Sequence, residues 1–255
     1  EGCCNRHPKR LWSSLKNVQF ETTAGKNNYK AIIAMSQYMY NEALVAGYSE
    51  SQLMLNPYFT PKIEESNLVV SSGDEIKQIL FVGRLSRTKG LHYFILAGLK
   101  ILKSDQQVLF QIAGSGHDEE YFKSLIPQAH VSYFQFLGWQ DRSSINDLIN
   151  ESYLVVFPSI YPEAFGIVGI EAMMRAKPVV AFDVGGVSTW LKNEETGFLV
   201  TAKDYRLFAD KVFELIHNTD VYISMAKASR KAALEQFAPE IHMYKLKDIY
   251  NSAIA

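Results

Sequence analysis

From residue 79 onward the chain alternates short apolar runs with stretches of helical periodicity, and this alternation restricts it to one class of fold. ILFVG (79–83), VLFQIAG (108–114), VSYFQFLG (131–138), YLVVFPS (153–159), PVVAFD (178–183) and GFLV (197–200) read as strands. Strands so apolar need cover on both faces, which a parallel sheet flanked by helices provides. Between them Leu91, Phe94, Ile95, Leu99 and Leu102 recur at helical spacing, and Asp141 is placed to cap a helix running towards Asn150. The pattern predicts an α/β fold, a doubly wound, Rossmann-like parallel sheet of about six strands with right-handed crossovers. Residues 204–255 read as helix with one break at Pro239.

Upstream, AIIAM (31–35) reads as a strand, QYMYNEALVAG (37–47) as a helix closed by Gly47, and QLMLN (52–56) as a second strand. One incomplete α/β unit ends there. The two prolines, charges and Ser-Ser-Gly turn of 57–78 have the composition of an interdomain connection. The expected organisation is therefore a partial N-terminal domain (1–56), a linker (57–78), a main domain (79–237) and a closing helix (238–255). Residues 1–15 lack an initiator Met and the pattern of a signal peptide, so the chain reads as a piece of something longer.

Composition excludes several classes of function. A net charge of -1, from 26 Lys plus Arg against 27 Asp plus Glu, argues against a broad nucleic-acid or anionic-membrane footprint. The only cysteines, Cys3 and Cys4, are adjacent, which rules out a disulfide framework and points to a reducing cytoplasm. No apolar run is long enough for a membrane span. None of the six histidines has metal-ligand spacing, and His117 reads as solvent-facing.

Ligands of doubly wound sheets bind beyond the carboxyl ends of the strands, so those loops carry the chemistry. GRLSRTKG (83–90) sets Arg84, Arg87 and Lys89 between turn-forming glycines; it is either an anion site or a solvated basic loop. AGSGHDEEY (113–121) contains Gly-x-Gly, but Glu119 stands where a dinucleotide fingerprint has its third glycine, which favours a tight strand-to-helix turn. SIYPEAFGIVGIEAMMRAKPVV (159–180) places Glu163 in a loop and Glu171 in an apolar helix. A carboxylate in such a helix pairs with a base, such as Arg175 at i+4, or faces a ligand. Eight residues of helix span roughly 12 Å, the reach from a ribose across a diphosphate to a second sugar, with helix N–H groups between.

E-A-F-G-I-V-G-I-E with FVGRLSRTKG upstream resembles the donor-binding half of a retaining glycosyltransferase of the GT-B fold, family 4, over residues 30 to the end. The resemblance implies a nucleotide-sugar donor, with no cofactor and no metal, and assigns roles to individual residues. Glu171 would hold the ribose, Glu163 the transferred sugar, and Arg84 and Lys89 the diphosphate. The N–H groups of Phe165, Gly166 and Ile167 would contact sugar and phosphate, and Gly83, Gly114, Gly138 and Trp139 belong to the loops around the nucleotide. UDP-linked donors are expected ahead of GDP-linked ones. The resemblance further implies metal-free, same-face attack by an acceptor hydroxyl, a saccharide or lipid-linked acceptor, a role in polysaccharide biosynthesis, and no nucleic-acid partner. It implies a cytoplasmic location at the inner membrane face, with membrane contact made by the missing N-terminal domain. A nucleotide-sugar binding module without catalysis and a sugar-nucleotide epimerase are the alternatives, and the 255-residue chain is expected to bind donor without transferring sugar.

Overall fold

The computed structural model describes residues 28–64 and 76–254. Cys3, Cys4 and the Ser-Ser-Gly turn lie outside them. The N-terminal unit is β1 (Ile32–Ala34), α1 (Gln37–Val45) and β2 (Leu53–Leu55), with β1 and β2 paired in parallel. Ser36 starts α1, its hydroxyl accepting from the Met39 N–H at 3.1 Å, and Gly47 (φ 87°) follows its C-terminus.

The remaining strands are β3 (Lys77–Val82), β4 (Val108–Ala113), β5 (Phe134–Gly138), β6 (Leu154–Phe157), β7 (Val179–Phe182) and β8 (Gly197–Val200). They form one parallel sheet in the order β5-β4-β3-β6-β7-β8. The expected doubly wound α/β fold is therefore present. Between and after the strands lie α2 (Leu91–Ile101), α3 (Glu119–Ser124), α4 (Arg142–Glu151), α5 (Ile167–Met174), α6 (Tyr205–His217), α7 (Thr219–Gln236) and α8 (Pro239–Ile254). Asp141 caps α4 as expected, its carboxylate accepting from the Ser144 N–H at 2.8 Å. Alternate residues of β3 feed opposite cores: Ile79 and Phe81 pack with Phe94, Phe110 and Phe208 under α2 and α6, whereas Leu80 packs with Ile149, Ile170 and Met173 under α4 and α5. Each such fully buried side chain contributes about 1.5–3 kcal/mol of transfer free energy.

Two expectations need correction. Val131–Tyr133 lie in a 3-10 turn, so β5 starts only at Phe134. The C-terminal helical region breaks at Asn218 as well as near Pro239, because the Asn218 side chain caps α7 by accepting from the Val221 N–H at 3.1 Å. Pro239 itself opens α8, where its missing N–H costs no hydrogen bond.

The described part of the connection is not loose. The Thr60 N–H donates to the Phe237 carbonyl at 3.0 Å, Arg230 donates to the Ile63 carbonyl at 2.7 Å, and His242 Nδ1 lies 2.8 Å from the Pro57 carbonyl. These bonds lay residues 57–63 along α7 and α8 and bring Tyr58 to the edge of the Phe165 ring.

The strand order reverses between β3 and β6, so the crevice of this sheet opens where their following loops meet. The loops after β3, β4 and β5 are zipped together main chain to main chain. Leu85 N–H donates to Ser115 at 3.0 Å and Gly114 N–H to Gly138 at 2.8 Å. A Cβ on Gly114 (φ +143°) would sit 1.9 Å from the Gly83 carbonyl oxygen, which explains the Gly-x-Gly as a device for close backbone approach. Gly114→Ala should therefore cost about 2–3 kcal/mol through strain and overpacking, read as a melting-temperature fall of roughly 4–12 °C. An unchanged melting temperature would show that the loops have slack.

Candidate functional site

The loops after β3 and β6 are bonded to each other at the switch point. The Thr88 carbonyl accepts from the Ile160 N–H at 3.0 Å, the Tyr161 N–H at 3.2 Å and the Ser159 hydroxyl at 3.3 Å. Gly90 (φ +71°) lies so close to this segment that a Cβ would come within 1.8 Å of the Pro158 carbonyl oxygen. Between the joined loops and the start of α5 opens a cavity of about 700 Å³. Gly83, Arg84, Lys89, Glu163, Phe165, Gly166 and Ile167 line it, so seven of the residues singled out in the sequence share one wall.

Of the three cations in GRLSRTKG, two face this space. Arg84 is exposed and makes no side-chain hydrogen bond or ion pair among the described residues. Lys89 Nζ lies 2.6 Å from Glu163 Oε1, which also accepts the Ser159 hydroxyl at 2.6 Å. Arg87 is committed elsewhere: its N–H donates to Asp118 Oδ2 at 2.9 Å and its guanidinium lies 4.2 Å over the Tyr121 ring. His117 is exposed and lies 3.2 Å from Asp118.

The main chain of the third loop is held from behind. The Gly186 N–H donates to the Glu163 carbonyl at 2.7 Å, and the Trp190 indole N–H to the Phe165 carbonyl at 2.6 Å. Trp190 is thus a buried core residue, while Trp139 is 74% exposed. Gly166 (φ 98°) turns the chain into α5 through the left-handed region. Among the described residues, the N–H groups of Phe165, Gly166 and Ile167 donate to no backbone carbonyl. That leaves three donors and the positive end of a helix beside the cavity.

A second hollow of about 320 Å³ shares Val82, Gly83 and Arg84 with the first and extends past Gly114, Ser115, Trp139, Gln140 and Ile145. Gly138 lines neither space; its left-handed conformation (φ +68°) and its carbonyl, which accepts from Gly114, shape the turn behind it.

Glu171 also lines neither space. It is 2% exposed, behind the start of α5. Its partner is not the expected Arg175: that side chain donates to the Glu171 main-chain carbonyl at 3.1 Å and to Asn146 Oδ1 at 2.8 Å. Burial pulls the Arg175 guanidinium below its usual pKa, with Glu171 opposing that shift. The Glu171 carboxylate instead meets Arg142, whose Nη2 lies 2.7 Å from Oε1. The contact is an ion pair without hydrogen-bond alignment, and the buried Oε1 has no hydrogen bond among the described residues. Sequence reading missed both Arg142 and Ser159. Ser159 sits four residues before Glu163 in the same loop and could have been found from that proximity, whereas nothing local marks Arg142. No group of three His, Cys, Asp or Glu side chains that could hold a metal occurs among the described residues.

Residues 63–232 match the family glycosyl transferases group 1. The chain is 42% identical over 132 residues to an uncharacterised glycosyltransferase of Methanocaldococcus jannaschii, covering 51% of this chain and 33% of the relative. It is 31% identical over 155 residues to the alpha-D-kanosaminyltransferase of Streptomyces kanamyceticus, covering 60% and 40%. The matches span well under half the length of these relatives. In fold it is similar to Anabaena HepE, solved with UDP and glucose, at TM-score 0.79 and 22% identity over 93% of this chain and 67% of that one. The sheet, its switch-point cavity and the extent of the sequence match lead to one conclusion: this chain belongs to the glycosyl transferases group 1 family and has the α/β fold of GT-B glycosyltransferases.

Proposed function

We propose that the chain is the donor-binding part of a retaining, metal-independent glycosyltransferase that takes sugar from a nucleoside diphosphate. The observation that carries this reading is the single cavity in which Arg84, Lys89, Glu163 and the open end of α5 converge. Its volume is in the range of small-molecule sites. The smaller hollow beside Trp139 has room for a base and lies next to Arg84. Arg84 and Lys89 then meet the diphosphate, the α5 N–H groups meet phosphate and sugar, and Glu163 orients sugar hydroxyls. Glu171 holds the ribose once the surface in front of it adjusts. The UDP bound in Anabaena HepE supports UDP as the nucleotide.

The chemistry follows from charge. As the bond from the anomeric carbon to the diphosphate breaks, negative charge builds on the phosphate, and Arg84 and Lys89 stabilise it without a metal. The acceptor hydroxyl attacks the anomeric carbon from the face the diphosphate leaves, and its proton passes to the departing phosphate. Glu163 pairs with Lys89 and Ser159 before donor binds; with Lys89 on the diphosphate it keeps Ser159 and acts by orienting sugar hydroxyls rather than by attack. The acceptor is a saccharide or lipid-linked hydroxyl presented by a facing domain.

Three outcomes test this reading. Glu171→Ala should weaken nucleoside diphosphate binding by roughly 1–3 kcal/mol, the cost of losing hydrogen bonds to a charged group; unchanged calorimetric affinity in a folded variant returns Glu171 to a structural role. Arg84→Ala and Lys89→Ala should weaken UDP far more than uridine, and equal losses for both would exclude a phosphate role. Finally, the 255-residue chain should bind nucleotide without useful transfer, since an acceptor held in place is worth about 7–11 kcal/mol of barrier. The longer protein should transfer sugar equally with and without chelator. Robust transfer by the short chain, or chelator-sensitive transfer by the long one, contradicts the proposal.

A further inference from the structure

We infer that Arg142 is a positioning residue for nucleotide recognition: it holds the Glu171 carboxylate in the orientation that distinguishes a ribose from a deoxyribose. The inference rests on the proposed ribose-binding role of Glu171 and adds the residue that makes that role possible.

The geometry consists of two links between α4 and α5. Arg142 and Asn146 stand one helical turn apart on α4, while Glu171 lies on α5 and Arg175 is the residue that ends it, four positions on. Asn146 accepts from Arg175 Nη2 at 2.8 Å, while Arg175 Nη1 donates to the Glu171 carbonyl at 3.1 Å, which fixes the main chain of Glu171. Arg142 reaches the other end of the same residue, 2.7 Å from Oε1. Backbone and head group of Glu171 are thus held by different cations.

The two partners of this ion pair differ sharply in exposure. The Glu171 side chain is 3% exposed and that of Arg142 is 63% exposed. An ion pair exposed on both sides adds little to fold stability, but this one is exposed on the Arg142 side alone. Ile170, Ala172, Met173 and Met174 around Glu171 are fully buried and apolar, so among the described residues Arg142 is the one cation in contact with its carboxylate. Because that contact lacks hydrogen-bond alignment, the buried Oε1 keeps its acceptor capacity, which an incoming hydroxyl reaches once the surface in front of it adjusts. Arg142 also lies in the segment whose Gln140 and Ile145 line the smaller hollow, which joins Glu171 to the side of the site beside Trp139.

The test is a ratio of affinities. UDP, GDP and ADP are titrated calorimetrically into wild-type protein, and the one bound most tightly is compared with its 2′-deoxy and 3′-deoxy counterparts. Wild type should prefer the ribose form by roughly tenfold, the size of one hydrogen bond to a charged group. Arg142→Ala should bring that preference close to one, as Glu171→Ala does; it also leaves a buried carboxylate without its cation and lowers the melting temperature, so the ratio is read in the folded variant. Arg142→Lys keeps the charge without the fork and should give an intermediate ratio. A purely structural role would weaken ribose and deoxyribose forms alike and leave the ratio intact; that result in either folded variant overturns the inference while Glu171→Ala still supports the nucleotide site. If wild type shows no ribose preference and Glu171→Ala changes nothing, the role of Glu171 itself fails and the inference with it.

Discussion

Everything in the site depends on how closely two stretches of main chain approach at the reversal of the sheet. The Thr88 carbonyl takes three hydrogen bonds from residues 159–161, and Gly90 leaves no room for a Cβ against Pro158. Because β3 and β6 are neighbours with buried, apolar side chains, the loops leaving them have no freedom to separate. Lys89 is carried by one of those loops, and Glu163 and Ser159 by the other. Their 2.6 Å contacts follow from the main-chain junction rather than from any local preference of the side chains. The site therefore inherits its rigidity from the core, as a preorganised charge site must.

The sheet was legible in the sequence because largely buried strands read as short apolar runs, and all six were recognised from that signal, the edge strand β5 among them although only its first residue is buried. Where it failed, a different force was acting. Val131 and Tyr133 have strand propensity but sit in a 3-10 turn before the sheet pairing starts. Asn218 interrupts the C-terminal helices because its side chain competes for the backbone N–H of Val221, a capping effect that no apolar periodicity reports.

Legibility of the candidate site divides in the same way. Arg84, Lys89 and Glu163 stand in loops directly after strands, so the position of the strands already placed them at the crevice. Glu171 was conspicuous as a carboxylate on an apolar helix, which calls for either a pairing base or a ligand. The base that pairs with it was not legible. The i+4 rule pointed to Arg175, but that residue is the C-cap just past the helix, and its fork is taken by the Glu171 carbonyl and Asn146. Arg142 is remote in sequence and meets Glu171 only because α4 and α5 cover the same face of the sheet.

Under the proposed function the Lys89–Glu163 pair gives the site a further property. Two unit charges at about 4 Å interact by about 4 kcal/mol at an effective dielectric of 20. A diphosphate, carrying more than one charge, competes effectively with a single carboxylate for Lys89, so the lysine can be exchanged from Glu163 to the ligand. Glu163 then keeps only the Ser159 hydroxyl on Oε1. A partly buried carboxylate that loses its cation requires other donors, and the hydroxyls of the transferred sugar are the donors placed nearest to it. Diphosphate and sugar thus satisfy the two halves of one pre-existing ion pair. A nucleoside diphosphate without its sugar takes Lys89 and leaves Glu163 short of donors, so the pair favours the intact donor over the spent nucleotide and draws Lys89 back as the product leaves.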